Sequence, residues 1–228
     1  MSLFFQSNDG YYSIKPLGII LIAALIFIFL VIPSLFLEEK PNKRFSTKKL
    51  AFSALAIALG FITSFIEPVH MPWGGGITLC SMFCICLVGY WYGLEAGLFA
   101  SFAYSLLQFL HSGCTFILSP LQVCFDYFLA FTALGLSGLF RNKKNGLVHG
   151  YLLAVLVRGV FHTLGGYIYW MDYMPDNFPK TIAFLYPILY NYAYLIPEAL
   201  LTVFIISLPN VKAGLEKVRQ LAADNKYI

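Results

Sequence analysis

Long apolar runs separated by short polar segments cover almost the whole chain. A transmembrane helix needs about 20 apolar residues to cross roughly 30 Å of hydrocarbon. Seven runs approach that length, and we predict them as membrane spans at residues 16–37, 49–66, 77–92, 94–111, 115–140, 147–170 and 181–208. The third and fourth are separated only around Gly93. The pattern therefore predicts an all-α integral membrane protein with seven spans.

The composition supports a membrane domain and excludes a separate catalytic one. The 228 residues are 59% hydrophobic and only 11% charged, whereas a soluble domain carries about 25% charged residues. We divide the chain into an extra N-terminal transmembrane helix with a basic cytoplasmic loop (1–45), a helical membrane domain (46–210) and a cytoplasmic tail (211–228).

The basic residues lie mostly on one side of the predicted spans. Lys15 and Lys180 fall on the other side, and Arg158 lies within a span. The remaining twelve of the fifteen share one side: Lys40, Lys43, Arg44, Lys48, Lys49, Arg141, Lys143, Lys144, Lys212, Lys217, Arg219 and Lys226. The positive-inside rule therefore predicts an external N-terminus and a cytoplasmic C-terminus. Topology explains this charge without a nucleic-acid partner.

The cysteines do not form a metal or redox motif. No C-x-x-C pair or histidine cluster accompanies them, and buried free cysteine is common. The five are Cys80, Cys84, Cys86, Cys114 and Cys124. We predict neither a metal site nor a cofactor.

Four ionisable residues lie well inside predicted spans, away from the span ends: Asp126, Arg158, His162 and Glu198. Such groups are costly in lipid, so they face the bundle interior and mark a ligand path or a paired network. Arg158 and His162 are four residues apart and share a helix face, and Asp126 reaches a similar depth by helical rise. We predict an Asp126–Arg158 ion pair. It either forms the floor of a pocket or only locks two helices together, with His162 as an internal hydrogen-bonding residue.

Aromatic and polar side chains gather in the outer half of the predicted bundle. With Asp126 they are Trp73, Tyr127, His162, Trp170, Tyr186 and Asn191. A carboxylate, aromatic faces and hydrogen-bonding groups suit a small organic cation that carries a heteroaromatic ring. The alternative for each tryptophan is an anchor at the membrane interface.

Several ordered motifs between residues 49 and 208 resemble one transporter family. TKKLAFSALAIALGF resembles an alanine-rich first helix, and LQVCFDYFLAFTALGLSGLF an acidic-Tyr stretch before an L-G-x-x-G-L-F helix end. RGVFHTLGGYIYW resembles an R-x-x-x-H-x-x-x-G-x-x-x-W helix, and YPILYN gives a Tyr-to-Asn spacing of five. In this order they resemble the thiamine-specific substrate-binding subunits (S components) of energy-coupling factor (ECF) transporters.

The resemblance implies a fold and a ligand site. The fold is a six-helix S-component bundle, to which this chain adds an N-terminal transmembrane helix. The implied ligand is thiamine, held near the external face by Trp73, Asp126, Tyr127, His162, Trp170, Tyr186 and Asn191. The acidic position is glutamate in some members and Asp126 here.

The resemblance also implies partners. Nothing in the chain resembles G-x-x-x-x-G-K-[ST], so an ATPase must be a separate protein. The family uses a transmembrane coupling subunit and two cytoplasmic ATPase subunits. Ala54 and Ala58 could let a partner helix approach closely. Packing inside the bundle is the alternative, and Ala56 and Gly60 offer a second pair.

Two other function classes compete with this interpretation. An intramembrane enzyme would use His162 with Asp126 or a nucleophile, but G-x-S-x-G and H-E-x-x-H are both absent from the sequence. We therefore predict that the chain is not an enzyme. The second class is an ion- or proton-coupled secondary transporter of a small organic cation, in which Asp126, Arg158 and Glu198 would relay charge.

Overall fold

Six apolar helices form the body of the computed structural model, which describes residues 5–8, 11–18, 20, 46–71, 75–115 and 117–223. The helices are α1 (Thr47–Ser64), α2 (Ser81–Tyr92), α3 (Leu94–His111), α4 (Pro120–Phe140), α5 (Gly146–Tyr173) and α6 (Lys180–Ser207). Among the described residues, α1, α4, α5 and α6 are long and apolar enough to cross a membrane. The chain is an all-α, multi-pass membrane protein.

The predicted span bounds agree best where the helices are regular. Run 94–111 coincides with α3, and α1 begins two residues before run 49–66. Helix α4 begins at Pro120 rather than at residue 115, because Ser119 caps it: the Ser119 side chain accepts a hydrogen bond from the Gln122 backbone N–H at 3.1 Å. Most of run 16–37, the extra N-terminal helix, lies outside the described residues.

The third predicted span is shorter than expected. Helix α2 has 12 residues and begins at Ser81, because strand β4 (Gly76–Ile77) pairs with strand β3 (Val69–His70) instead of joining the helix. Two backbone hydrogen bonds close this turn, from Leu79 N–H to the Ile66 carbonyl and from Met71 N–H to the Gly75 carbonyl. We call residues 66–71 and 75–80 the α1–α2 hairpin.

Two helices contain wider π-helical turns. They occur at Cys124–Leu129 within α4 and at Gly166–Trp170 within α5. Such turns are rare in proteins as a whole, but those that occur are frequently found at functional sites. Three of the candidate ligand residues, Asp126, Tyr127 and Trp170, lie on them.

A second hairpin precedes the bundle. Strands β1 (Phe5–Asn8) and β2 (Tyr11–Ile14) pair antiparallel. The Ile14 N–H donates to the Cys114 carbonyl at 3.1 Å, and the Ile14 side chain is buried in a cluster with Phe109, Cys114 and Val123. The N-terminal segment is thereby attached to the connection between α3 and α4.

The segment predicted as a tail is largely helical. Helix α7 (Pro209–Ala222) follows α6 and returns to the bundle, where the Arg219 guanidinium lies 4.7 Å from the centre of the Tyr90 ring. The Tyr92 hydroxyl donates to the Ala222 carbonyl at 3.2 Å. These contacts cover the end of the bundle at which α1 begins and α2 ends. The division at residues 45 and 210 stays a prediction.

Candidate ligand-binding site

Asp126 and Trp170 form a direct contact between α4 and α5. The indole Nε1–H of Trp170 donates to Asp126 Oδ2 at 2.8 Å, and the Gln122 amide donates to the same oxygen at 2.6 Å. Among the described residues, Asp126 Oδ1 accepts no hydrogen bond. The carboxylate is therefore held through one oxygen, while the other is available as an acceptor.

Two glycines of α5 make room for this arrangement. A Cβ at Gly165 would lie 2.5 Å from Asp126 Oδ1, and a Cβ at Gly166 would lie 2.7 Å from the Pro187 side chain. Both separations are shorter than any normal carbon contact. The Gly-Gly pair thus lets the carboxylate of α4 and the beginning of α6 approach the backbone of α5.

The predicted ion pair between Asp126 and Arg158 is not present, which corrects the expectation from sequence. The Arg158 guanidinium instead lies 4.1 Å from the centre of the Phe131 ring, and Arg158 Nε donates to His162 Nε2 at 3.3 Å. The physical reason is local. Asp126 meets Gln122 and Trp170, whereas Arg158 faces Phe131 and His162, so the rotation of the helices keeps the two charges apart.

His162 belongs to this Arg158 group rather than to the Asp126 contact. Its ring centre lies 6.4 Å from that of Phe131, with an edge-to-face interplanar angle of 84°. In this arrangement His162 Nε2 is the acceptor for Arg158.

Helix α6 carries a row of tyrosines beside Asn191. The ring of Tyr190 lies 5.8 Å from that of Tyr186 and 6.3 Å from that of Tyr194. The Tyr194 hydroxyl donates to Asn191 Oδ1 at 3.0 Å, and Asn191 Nδ2 donates to the Pro187 carbonyl at 2.8 Å. These two contacts fix the orientation of the buried Asn191 amide.

The two other candidate residues differ in placement. Tyr127 packs toward the C-terminal end of α3, with its ring 5.2 Å from that of Phe109. Trp73 lies outside the described residues. The structure thus joins Asp126 to Trp170, brings His162 to Arg158, and leaves Tyr127 in an apolar contact.

A cavity of about 170 Å³ lies where all six helices approach the α1–α2 hairpin. Its polar wall contains one guanidinium, from Arg158, and two carboxylates, from Glu67 and Glu198. The lining also includes Gly75, Gly76, Thr78, Ser81, Tyr104, Gln108 and Tyr194. Mixed charge and aromatic walls suit a small polar ligand better than a lipid tail.

Three residues of this region were not among the predicted site residues. Gln122 precedes Asp126 by four residues, and Tyr194 follows Asn191 by three, so each lies on the same helix face as its partner. The third, Glu198, was predicted only as an intramembrane charge. Helical spacing from an already identified residue is the signal that could have found the first two.

The paired small residues of α1 separate into two faces. Ala54 and Ala58 are exposed, whereas Ala56 and Gly60 are buried, and a Cβ at Gly60 would lie 2.8 Å from the Ile85 side chain. Ala56 and Gly60 therefore serve packing within the bundle, and Ala54 and Ala58 leave an open strip on α1.

Comparison with known proteins identifies the family. A family model described as thiamine transporter protein (Thia_YuaJ) matches residues 50–216. The thiamine transporter ThiT of Bacillus subtilis is 27% identical, over 68% of this chain and 84% of that protein. ThiT of Lacticaseibacillus paracasei is 25% identical, over 68% of this chain and 80% of that protein.

A solved structure supports the fold independently. ThiT from Listeria monocytogenes superposes with a TM-score of 0.61 at 24% sequence identity, covering 77% of this chain and 97% of that chain. Both curated relatives are transporters, which agrees with the prediction that this chain is not an enzyme. Since the family model covers well over half of the sequence, the chain belongs to the thiamine transporter protein (Thia_YuaJ) family.

Proposed function

We propose that this chain binds thiamine in the outer half of the membrane and serves as the substrate-binding subunit of an ECF-type uptake transporter. The observation that carries the proposal is the Asp126–Trp170 contact. It presents a free carboxylate oxygen beside an indole ring, which are the two groups that a cationic heteroaromatic ligand needs. Membership in the thiamine transporter family supports thiamine as that ligand.

The candidate ligand residues share the roles expected for such a molecule. Asp126 neutralises the thiazolium charge, and Trp170 offers a ring for stacking. Asn191 and His162 provide hydrogen bonds to the pyrimidine. Trp73, Tyr127 and Tyr186 complete the aromatic walls.

The proposed orientation places this site outside. The basic residues Lys48, Lys49, Arg141, Lys143 and Lys144 lie at the start of α1 and in the connection from α4 to α5. The cavity and the α1–α2 hairpin lie toward the opposite helix ends. The positive-inside rule then gives a cytoplasmic C-terminus, and with a membrane-spanning helix in run 16–37 the N-terminus is external.

The proposed partners are a transmembrane coupling subunit and two cytoplasmic ATPase subunits. The exposed strip of Ala54 and Ala58 on α1 is the proposed contact with the coupling subunit, since small side chains let helices approach closely in lipid. Leu55 and Leu59, which are 56% and 46% exposed, flank the strip.

Calorimetry on the purified chain, without any ATPase, tests the proposal. We expect saturable thiamine binding with quenching of tryptophan fluorescence. Absence of both signals would contradict the assignment. Thiamine uptake into vesicles that contain only this chain and an ion gradient would instead favour an ion-coupled carrier.

A further inference from the structure

Glu198 is a buried carboxylate that has no part in the proposed contacts with thiamine. It lies in the middle of α6 and is 2% exposed. Twelve residues separate it from Tyr186, where the regular part of α6 begins, so it lies about 18 Å below that point by helical rise. Among the described residues no basic group lies within ion-pair distance of it. Its hydrogen bonds are therefore the direct contacts that stabilise this carboxyl group at this depth.

Both of those bonds come from the α1–α2 hairpin. The Thr78 backbone N–H donates to Glu198 Oε2 at 2.8 Å, and the Thr78 hydroxyl donates to Glu198 Oε1 at 2.7 Å. The Thr78 hydroxyl oxygen also lies 2.6 Å from the Ser81 hydroxyl, in the first turn of α2. One carboxylate thus anchors the last strand of the hairpin and the beginning of the next helix.

This anchor provides hydrogen-bond partners for the non-helical backbone that precedes the short helix α2. Non-helical backbone inside a membrane protein is tolerated only where its polar groups find partners within the protein. Residues before Ser81 are not helical, and Cys80 has the left-handed backbone angle φ = 57°. The Thr78 N–H has no helical carbonyl to bind, and the Glu198 carboxylate accepts its hydrogen bond instead.

A second contact from the same face of α6 reaches the hairpin. Gly75 has φ = 77°, and a Cβ there would lie 2.8 Å from the Tyr194 ring. Tyr194 precedes Glu198 by one helical turn and donates to the Asn191 amide. The hairpin that Glu198 holds therefore packs on the residue that orients Asn191, and its Gly75, Gly76 and Thr78 line the cavity.

We propose that Glu198 is a positioning residue for ligand binding: it docks the α1–α2 hairpin on α6, which completes one cavity wall and keeps Tyr194 and Asn191 in place. The inference rests on the proposed thiamine function, but the docking itself exists without ligand. Glu198 acts through hydrogen bonds, and its negative charge is not the feature required.

Two substitutions separate this role from direct neutralisation of the ligand. In Glu198→Gln, the amide oxygen accepts from the Thr78 N–H and the amide nitrogen donates to the Thr78 hydroxyl, which in turn donates to Ser81. Glu198→Ala removes both acceptors. We expect Glu198→Gln to retain thiamine affinity within about threefold. Glu198→Ala should lose roughly tenfold or more, with faster dissociation, because it leaves the Thr78 N–H and hydroxyl without their acceptor.

Amide hydrogen exchange supplies the readout that does not depend on ligand. In Glu198→Ala, peptides covering residues 75–80 should exchange faster, while those from α3 and α5 stay as in the parent protein. Glu95→Gln is the control, since it removes an exposed carboxylate in the first turn of α3, at the helix ends opposite to the hairpin. It should change neither the exchange at 75–80 nor the dissociation rate by more than about twofold, because surface charge changes have small effects.

A pair at Thr78 keeps the test valid if Glu198→Ala fails to fold. Thr78→Val loses the hydroxyl bonds to Glu198 and Ser81 but keeps the backbone bond to Glu198, and it should weaken binding about fivefold or more. Thr78→Ser should behave as the parent protein. Equal losses in Glu198→Gln and Glu198→Ala, or unchanged exchange at 75–80 in Glu198→Ala, would overturn the inference. A parent protein that does not bind thiamine would refute the proposed function, and the exchange comparison would still decide whether Glu198 docks the hairpin.

Discussion

The substitution Asp126→Asn gives the sharpest test of the ligand site, because the structure keeps its effect on folding small. Both protein donors to Asp126, from Gln122 and Trp170, bind the single oxygen Oδ2. An asparagine can keep its carbonyl oxygen in that position and accept both hydrogen bonds. Its amide nitrogen then replaces Oδ1 beside Gly165, so the substitution mainly removes the negative charge from the Asp126–Trp170 contact.

The expected loss for a cation is set by Coulomb's law. A carboxylate and a thiazolium about 4 Å apart attract each other by about 4 kcal/mol at an effective dielectric constant near 20. The cost of removing both charges from water offsets part of this attraction. We therefore expect a loss of roughly 30-fold to 300-fold in thiamine affinity, since each factor of ten is about 1.4 kcal/mol.

An uncharged aminopyrimidine analogue supplies the comparison. In the proposed roles its pyrimidine binds Asn191 and His162 rather than Asp126, so it should lose at most about 1 kcal/mol, or roughly fivefold, the value of one hydrogen bond. Calorimetric titration of both ligands into parent and Asp126→Asn protein measures the two ratios. Asp172→Asn, at the C-terminal end of α5, is the control for a carboxylate outside the Asp126–Trp170 contact. Equal losses for thiamine and for the analogue would refute the reasoning and make Asp126 a structural residue.

Contacts of the same region and of the α1 strip support three more predictions. Gly165→Ala should displace the Asp126 carboxylate, because its Cβ would lie 2.5 Å from Oδ1. It should weaken thiamine binding at least tenfold and lower the free energy of unfolding by about 1–3 kcal/mol, as overpacking does. Calorimetry and thermal denaturation measure the two effects, and unchanged values would contradict the prediction. Trp170→Phe keeps an aromatic ring but removes the indole donor, so titration should show about tenfold weaker binding, and full affinity would mean that the contact plays no part. Ala58→Leu should leave thiamine affinity unchanged and reduce co-purification with the coupling subunit; normal assembly would place the interface elsewhere.

The sequence predicts the regular helices well and the irregular segments poorly. Helix α3 has the predicted bounds because its apolar run is uninterrupted. The start of α4 depends on capping by Ser119, and the start of α2 depends on strand pairing within the hairpin. Hydrophobic periodicity predicts neither feature. The candidate site residues come from the pattern and the family resemblance, and their role in ligand binding stays a prediction.

The partners of the site residues were harder to predict than the residues themselves. Opposite charges at a similar depth suggested that Asp126 pairs with Arg158, but two uncharged donors hold the carboxylate instead. Arg158 packs on the ring of Phe131. The depth of a phenylalanine in the membrane does not tell whether its ring faces the bundle interior or the lipid, so this contact could not be predicted from the sequence. Similar depth in the membrane is therefore a weak criterion for an ion pair, because the rotation of each helix decides which side chains meet.

The π-helical turns in α4 and α5 change the direction in which the following side chains point around the helix axis. His162 and Trp170 are eight residues apart, which in a regular helix places them near one face. The wider turn at Gly166–Trp170 lies between them, and one additional residue in a turn rotates the rest of the helix by about 100° around the axis. Trp170 consequently faces Asp126 on α4, while His162 faces Arg158 and Phe131. Because Asp126 also lies on a π-helical turn, irregular backbone on both helices aligns the carboxylate with the indole, and a ligand that also reaches His162 must extend from this contact toward the Arg158 side.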